Sequence, residues 1–591
     1  MKTGFAFPDH IRTEKIRRYK HTEPTQRNMR GYLLVVFAAF VIALLLIRLF
    51  FLQVVQGSYY RELSDSNRIR TKVVHAPRGI IVDRNGVPLV FNVPGFRMIE
   101  GDTVVFLPRE KALSVLAKGS TGLEIDSLRS YPYGEATSHV LGYVGKITNV
   151  ALTQKEFADY GINDVIGKVG IEREYEHLLA GVDGKQLNEV DAAGKLMRIL
   201  GQTDPVPGKD IMLALDIKLQ EKVFEAMSEV GKGAAIVTTP KGEILAIVSK
   251  PSFDPNLFTL GELSHSTNNT YSSVENVLSD STNQPLVNRA IAGIYPPGST
   301  FKLVVAAAGL EGKFIDEHYT VLDTGVLTVG EFTFANWYYT MRGKTDGEIN
   351  VVKAIRRSND IFFYKLAEKI GVDEISKMAK KFSLGQKLGI DLGGEEKGIV
   401  PTREWKKEII GEDWYLGDTY HYGIGQGYLS VTPLQVNAWT QVIANGGSFY
   451  TPYLLKSEKR KAKSEKFLSD KTVSLIREGM VESCRPGGVG WPLFEFKVKN
   501  AKLKIDGKNF LEAPQATTSA DFNDYRQVSI ACKTGTAEHG GEKSLPHAWI
   551  TLFAPAYDPE IVIMVLSEES GEGSNVAAPI AKKILEAWFT R

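Results

Sequence analysis

Residues 294–312 read IYPPGSTFKLVVAAAGLEG. The Pro-Pro-Gly run cannot continue a helix backward, so the spacing predicts a helix that begins at about Ser299. Ser299 and Lys302 are then three apart and share one helix face. The residues that follow, LVVAAAGL, are apolar enough to be buried. Burial disfavours an ammonium charge, so Lys302 can be neutral beside such a core helix. A neutral amine there can accept the Ser299 hydroxyl proton, and the helix N-terminus favours the anion that develops. A capping serine followed by a solvated lysine has the same spacing. The rest of the chain must decide between the two.

Two more strings carry polar groups into apolar surroundings. Ser358-Asn-Asp360 interrupts the helical pattern VVKAIRRSNDIFFYKLAEKIG (351–371), as a helix break facing a cleft or as a plain surface boundary. Lys533-Thr-Gly535 lies in the strand pattern QVSIACKTGT (527–536). Lys533 and Thr534 can hold a carboxylate by charge and hydroxyl contact, and Gly535 lets a ligand approach the backbone. Each string alone is weak.

Around them the chain alternates strand and helix patterns. GAAIVTTPKGEILAIVSKP (233–251) is a hairpin around PKG. The middle third is helical, and strands return in QVSIACKTGT, HAWITLFAP and EIVIMVLSEE before a last helix, AAPIAKKILEAWFTR. This order predicts an α+β domain with one antiparallel sheet, assembled from both ends of the domain and flanked by helices. Residues 55–205 mix short strand patterns and loops, an extended α+β module that PVPGKD (205–210) closes. Basic KRKAKSEK (459–466) reads as a solvated loop.

Net charge is +2, yet residues 1–30 hold eight Lys/Arg against three Asp/Glu. The basic excess lies outside the folded part, which argues against nucleic-acid binding. YLLVVFAAFVIALLLI (32–47) follows without a charge and, with LFFLQVV after Arg48, is long enough to cross a bilayer. The expected organisation is a cytoplasmic tail (1–30), a single transmembrane helix (31–54), the extended module (55–205) and a second α+β domain (206–591). The positive-inside rule puts the N-terminus in the cytoplasm and both folded parts outside the cell (inner) membrane. Cys484 and Cys532 are the only cysteines, so one bridge is possible and a disulfide framework is not.

The three strings, in this order and on these elements, resemble the penicilloyl-serine transferase superfamily. PRGIIVDRNGVPLVFN, RSYPYGEATSHVLGYVG and GKVGIEREYEHLLAGVDG are similar to the pedestal of class B penicillin-binding proteins. PLVNRAIAGIYPPGSTFK, VPTREWKK, WYLGDT and GIGQGYLSVTPLQ resemble the transpeptidase domain of the elongation type, the penicillin-binding protein 2 group. The second motif reads Ser-x-Asp, whereas septal relatives usually have Ser-x-Asn. The resemblance implies a D,D-transpeptidase that crosslinks peptidoglycan stem peptides and is acylated by β-lactams.

Carried over, Ser299 is the nucleophile and Lys302 its general base. Ser358 and Asp360 position groups and relay protons. Lys533 and Thr534 bind the substrate carboxylate, Gly535 allows its approach, and the N–H groups of Ser299 and Thr536 form an oxyanion hole. The resemblance implies a SEDS-family glycan polymerase as membrane partner, and no cofactor. Residues 320–357 contain neither His nor Cys, so no metal site of the kind some relatives carry is expected. The segment between VPGFRMIEGD and RSYPYG is shorter than in familiar relatives, and residues 486–527 match nothing assignable. A membrane-anchored β-lactam sensor and a non-catalytic cell-wall scaffold are the rival readings. The intact motifs argue against the scaffold, and a thirty-residue tail leaves a sensor little room for signalling machinery.

Overall fold

The structure, a computed structural model, describes residues 29–591 apart from 101–102, 108, 119–122, 192–194, 261–269, 457–463, 500–524 and 541–543. The basic tail to residue 28, most of KRKAKSEK and much of 486–527 lie outside the described residues. The chain divides into two compact units, one of residues 1–74 with 185–204 and one of 75–184 with 205–591.

In the first unit, helix α1 (Met29–Phe50) runs on through a π-helical turn, Phe51–Val55. The 27 residues carry no buried side chain and are long and apolar enough to cross a membrane. The unit also holds a three-stranded sheet in which Gly184–Val190 lies between Ile69–Val74 and Leu196–Thr203. Glu189 of its central strand pairs with both Arg68 and Arg198.

In the second unit the large sheet has five antiparallel strands: β1 (Gly233–Thr238), β2 (Ile244–Lys250), β3 (Ala531–Ala537), β4 (His547–Ala554) and β5 (Ile561–Ser567), in the order β2-β1-β5-β4-β3. β1 and β2 are the hairpin expected around PKG, and β5 joins them to the C-terminal pair. Strands read as continuous apolar runs because both faces are covered. Val562, Met564 and Leu566 of β5 pack into one core, and Ile561, Ile563 and Val565 into the other.

On the first face lie α3 (Lys302–Glu311), α4 (Val351–Arg357), α5 (Asp360–Ile370) and α6 (Pro433–Ala444), the last with all twelve residues buried. Helix α6 starts on a capping box, Thr432 with Gln435, and its Thr440 hydroxyl meets that of Thr551 on β4 at 2.7 Å. The second face is covered by α2 (Ile217–Ala226) and by α8 (Ala577–Phe589), the helix expected from the C-terminal pattern. Between α6 and β3 in sequence, α7 (Asp470–Ser483) packs on α4, where Gly479 leaves room for Ile355. Cys484, at the C-cap of α7, forms a disulfide with Cys532 of β3, so the bridge that the sequence left open is made.

Residues 75–184 form a smaller sheet around Pro88–Glu100, joined by Ile211 and Met212, which pair in parallel with Ile81 and Val82. Its interior is charged. Glu172 is fully buried and accepts from Arg129 Nε at 2.7 Å and Arg78 Nη2 at 2.9 Å. Arg78 also reaches Glu176 at 2.7 Å. Burial by itself would raise the Glu172 carboxyl, but the charges and hydrogen bonds of Arg129 and Arg78 outweigh it and hold it below its ordinary value.

Glu172→Gln leaves two arginines short of an anion, and we expect a loss of about 3–5 kcal/mol, read as a lower unfolding midpoint of the purified chain. A depressed carboxyl contributes stability above its unfolded pKa of ~4.3 that is lost as pH falls through the lower native value. The gap between wild type and variant should therefore be full at neutral pH and close in acid. Peptide mapping without reductant should recover Cys484 and Cys532 in one linked species. Two free thiols would remove this staple from β3.

Candidate active site

The Ser299 turn is built before its helix begins. Gly298–Phe301 is a 3-10 turn, and the α-helix proper starts only at Lys302. This corrects the expected helix start at Ser299, and the reason is local. Gly298 takes a positive φ of 53° after two prolines, and its N–H donates to Gly425 O at 2.9 Å. Trp549 Nε1 holds Pro296 O at 3.1 Å, and Thr300 Oγ1 holds Pro297 O at 2.8 Å. In a 3-10 turn residues three apart eclipse, which places Ser299 and Lys302 on one side. The half-buried Ser299 side chain makes no cap hydrogen bond, so the capping reading of this serine falls.

Two glycines bring this turn against β3, the edge strand of the sheet. A Cβ on Gly298 would sit 2.7 Å from Thr536 O, and one on Gly535 would sit 3.0 Å from both Pro297 O and the Thr300 methyl. Gly535 was expected to admit a ligand; in the structure its missing side chain admits the turn that carries Ser299. Thr534 is buried on the same strand, and Thr536 is exposed.

Ser358 makes the expected helix break. It ends α4 in a left-handed conformation, φ 53°, and α5 begins at Asp360 with Asn359 as its N-cap. The break turns polar groups toward Lys302, whose side chain is fully buried. Lys302 Nζ donates to Ser358 O at 2.8 Å, Ser358 Oγ at 3.3 Å and Asp360 Oδ1 at 2.6 Å. From the strand side, Lys533 Nζ donates to the same Ser358 Oγ at 2.8 Å and to Thr534 O at 2.8 Å. The Ser358 hydroxyl therefore joins two buried amines.

Burial pushes the Lys302 amine down, opposed by the Asp360 charge and hydrogen bond. Lys533 is pushed down much further, first by burial and then by the Lys302 charge, with Asp360 again opposing. The one carboxylate nearby lies on Lys302, which has three acceptors around it, whereas Lys533 has two.

Behind Asp360 lies a layer that the motifs did not reveal. Trp337 N donates to Asp360 Oδ2 at 3.0 Å, and Asn336 Oδ1 accepts from Asp360 N at 3.2 Å. Buried Asp323 gathers four N–H donors at 2.8–2.9 Å, from Gly325, Asp346 and the side chains of Asn336 and Asn359. Asn359, between the two motif residues, was the visible clue. Trp337, Asn336 and Asp323 have no sequence signature.

Comparison with known proteins gives the family. The family model for the penicillin-binding protein transpeptidase domain matches residues 233–586, and that for the penicillin-binding protein dimerisation domain matches 118–213. The peptidoglycan D,D-transpeptidase MrdA of Acinetobacter baumannii is 32% identical, over 96% of this chain and 89% of its own length. MrdA of Escherichia coli is 32% identical, over 92% of this chain and 91% of its own. Among solved structures, PBP2 of Pseudomonas aeruginosa in complex with WCK 5153 has a TM-score of 0.66 at 31% identity, covering 88% of this chain and 96% of that one. PBP2 of Helicobacter pylori in complex with MreC has a TM-score of 0.70 at 28% identity, covering 88% and 98%. With both domain matches in order and relatives aligned over most of their length, the chain belongs to the class B penicillin-binding proteins of the elongation type, the penicillin-binding protein 2 group.

Proposed function

We propose that the chain is a peptidoglycan D,D-transpeptidase that acts through an acyl-enzyme on Ser299. The observation that carries this reading is the Lys302–Ser358–Lys533 chain of hydrogen bonds beside the Ser299 turn, with a single carboxylate, Asp360, to share. At rest the proton lies on Lys302. A substrate carboxylate arriving at Lys533 and Thr534 supplies the anion that Lys533 lacks, and a proton passes from Lys302 through Ser358 Oγ to Lys533. Lys302, now neutral, becomes the base on the same side as Ser299.

Ser299 Oγ then attacks the penultimate D-Ala carbonyl of a stem peptide and gives its proton to Lys302. The N–H groups of Ser299 and Thr536 take the oxyanion, the C–N bond breaks, and D-Ala leaves with that proton. In the second half an amine of a neighbouring stem attacks the ester, losing a proton as Ser299 Oγ regains one, and the crosslink amide forms. β-Lactams acylate Ser299 by the first half alone. Residues 31–54 anchor the enzyme in the inner membrane with residues 1–30 in the cytoplasm. Residues 55–205 act as a pedestal, and a SEDS-family polymerase contacts the anchor and pedestal. MreC, which a Helicobacter pylori PBP2 structure contains, is a second candidate partner.

Incubation with a fluorescent penicillin should leave one covalent adduct, on Ser299 by mass spectrometry, and none on Ser299→Ala. Lys302→Ala should acylate about 10²–10⁴-fold more slowly. Given crosslinkable stem peptides, the wild type should yield a dimeric muropeptide; adduct without dimer would mark a sensor instead.

Asp360 raises the proton affinity of both lysines, so its removal lowers them. The acid limb of the acylation rate, set by deprotonation of the base, should therefore move to lower pH in Asp360→Asn, although the maximum falls. An unmoved limb would take the base role away from Lys302.

A further inference from the structure

Residues 75–184, with Thr259, enclose a cavity of about 410 Å³ that the reaction at Ser299 does not use. Its size is that of a small-ligand site. At its buried end stands Arg129, 2% exposed, with Nε on Glu172 at 2.7 Å and Nη1 on Asn92 at 3.0 Å. Arg129 Nη2 is buried and has no partner. A second wall carries His75, whose Nδ1 meets Asp183 Oδ2 at 2.9 Å, while its buried Nε2 also lacks a partner. A buried guanidinium N–H is rarely left unpaired in a folded protein, and the described residues offer this one no acceptor. Acidic groups line the same cavity: Asp126 and Asp183 act on His75, and Asp164 stands within 4.8 Å of it. Asp159 is exposed, and half-buried Asp164 engages a backbone N–H, of Gly161, through one oxygen at 2.7 Å.

We propose that this cavity binds a small zwitterion, an amino acid or the free end of a short peptide, with its carboxylate inward on Arg129 and His75 and its ammonium outward toward Asp164 and Asp159. His75, Asp164 and Asp183 also stand within 4.8 Å of one another, a donor set that could suit a divalent cation. One feature argues against the cation: a metal would leave the Arg129 N–H without an acceptor, whereas a carboxylate satisfies it.

The test is calorimetric titration of the purified full-length chain, its Ser299 site first blocked by penicillin, with glycylglycine and D-alanyl-D-alanine, and separately with acetate, methylammonium and ZnCl2. We expect both dipeptides to bind one site, at least tenfold more tightly than either single-charge fragment. Binding should weaken at least tenfold in His75→Gln and in Ala180→Leu, which narrows the cavity wall. Penicillin labelling of Ser299 should be unchanged in both variants, which certifies their folding and separates this site from the catalytic one. Zinc binding without dipeptide binding would overturn the proposal in favour of a cation site. Dipeptide binding that survives both substitutions, or none at all, would overturn it outright.

Discussion

Two buried lysines share one carboxylate, and much of the catalytic domain serves that imbalance. Removing an ammonium group from water is costly, and the cost falls only with close anions and oriented dipoles. Lys302 receives Asp360 at 2.6 Å; Lys533 receives only a hydroxyl and a carbonyl. The strand lysine is thus the weaker proton holder of the two. In the proposed mechanism the anion it awaits is a substrate carboxylate, and the charge deficit couples recognition to activation through a single hydroxyl, that of Ser358.

Such coupling works only if strand, turn and helix break are held within hydrogen-bond reach. An edge strand exposes an unpaired row of backbone groups that ordinarily invites another strand. Here the edge of β3 is met by the turn at 298–301, and two glycines set the approach. From the other end, the disulfide from Cys532 to Cys484 ties the residue before Lys533 to α7, which packs on the helix that ends at Ser358. The three motifs belong to distant parts of the sequence, but each is fixed by a neighbour of the next.

What the sequence made legible follows from this. Strands and helices of the large sheet were readable because burial on both faces leaves long apolar runs, and Ser358 was readable as a break because polar residues interrupted one. Ser299, Lys302, Ser358, Asp360 and Lys533 are polar residues set in apolar runs, so their motifs stand out. The 3-10 form of the Ser299 turn was not readable, because it depends on Gly425 and Trp549, more than a hundred residues away. Nor was the layer behind Asp360, since Asp323, Asn336 and Trp337 act through backbone and amide contacts that any polar loop could offer. The bridge between Cys484 and Cys532 had no local signal either, because it needs α7 and β3 to be adjacent.

That hidden layer explains why Asp360 is free to serve the lysines. A second buried carboxylate nearby would normally compete for the same ammonium. Asp323 does not, because four N–H donors already occupy its oxygens. Two of them come from Asn336 and Asn359, whose remaining amide oxygens hold the backbone N–H groups of Asp360 and Phe362. Asp323 therefore spends its charge on orienting the start of α5, and Asp360 spends its own on Lys302. The two carboxylates thus divide the work, one bound by dipoles and the other by a cation, and Asp360 is left as the anion that favours the charged form of both Lys302 and Lys533.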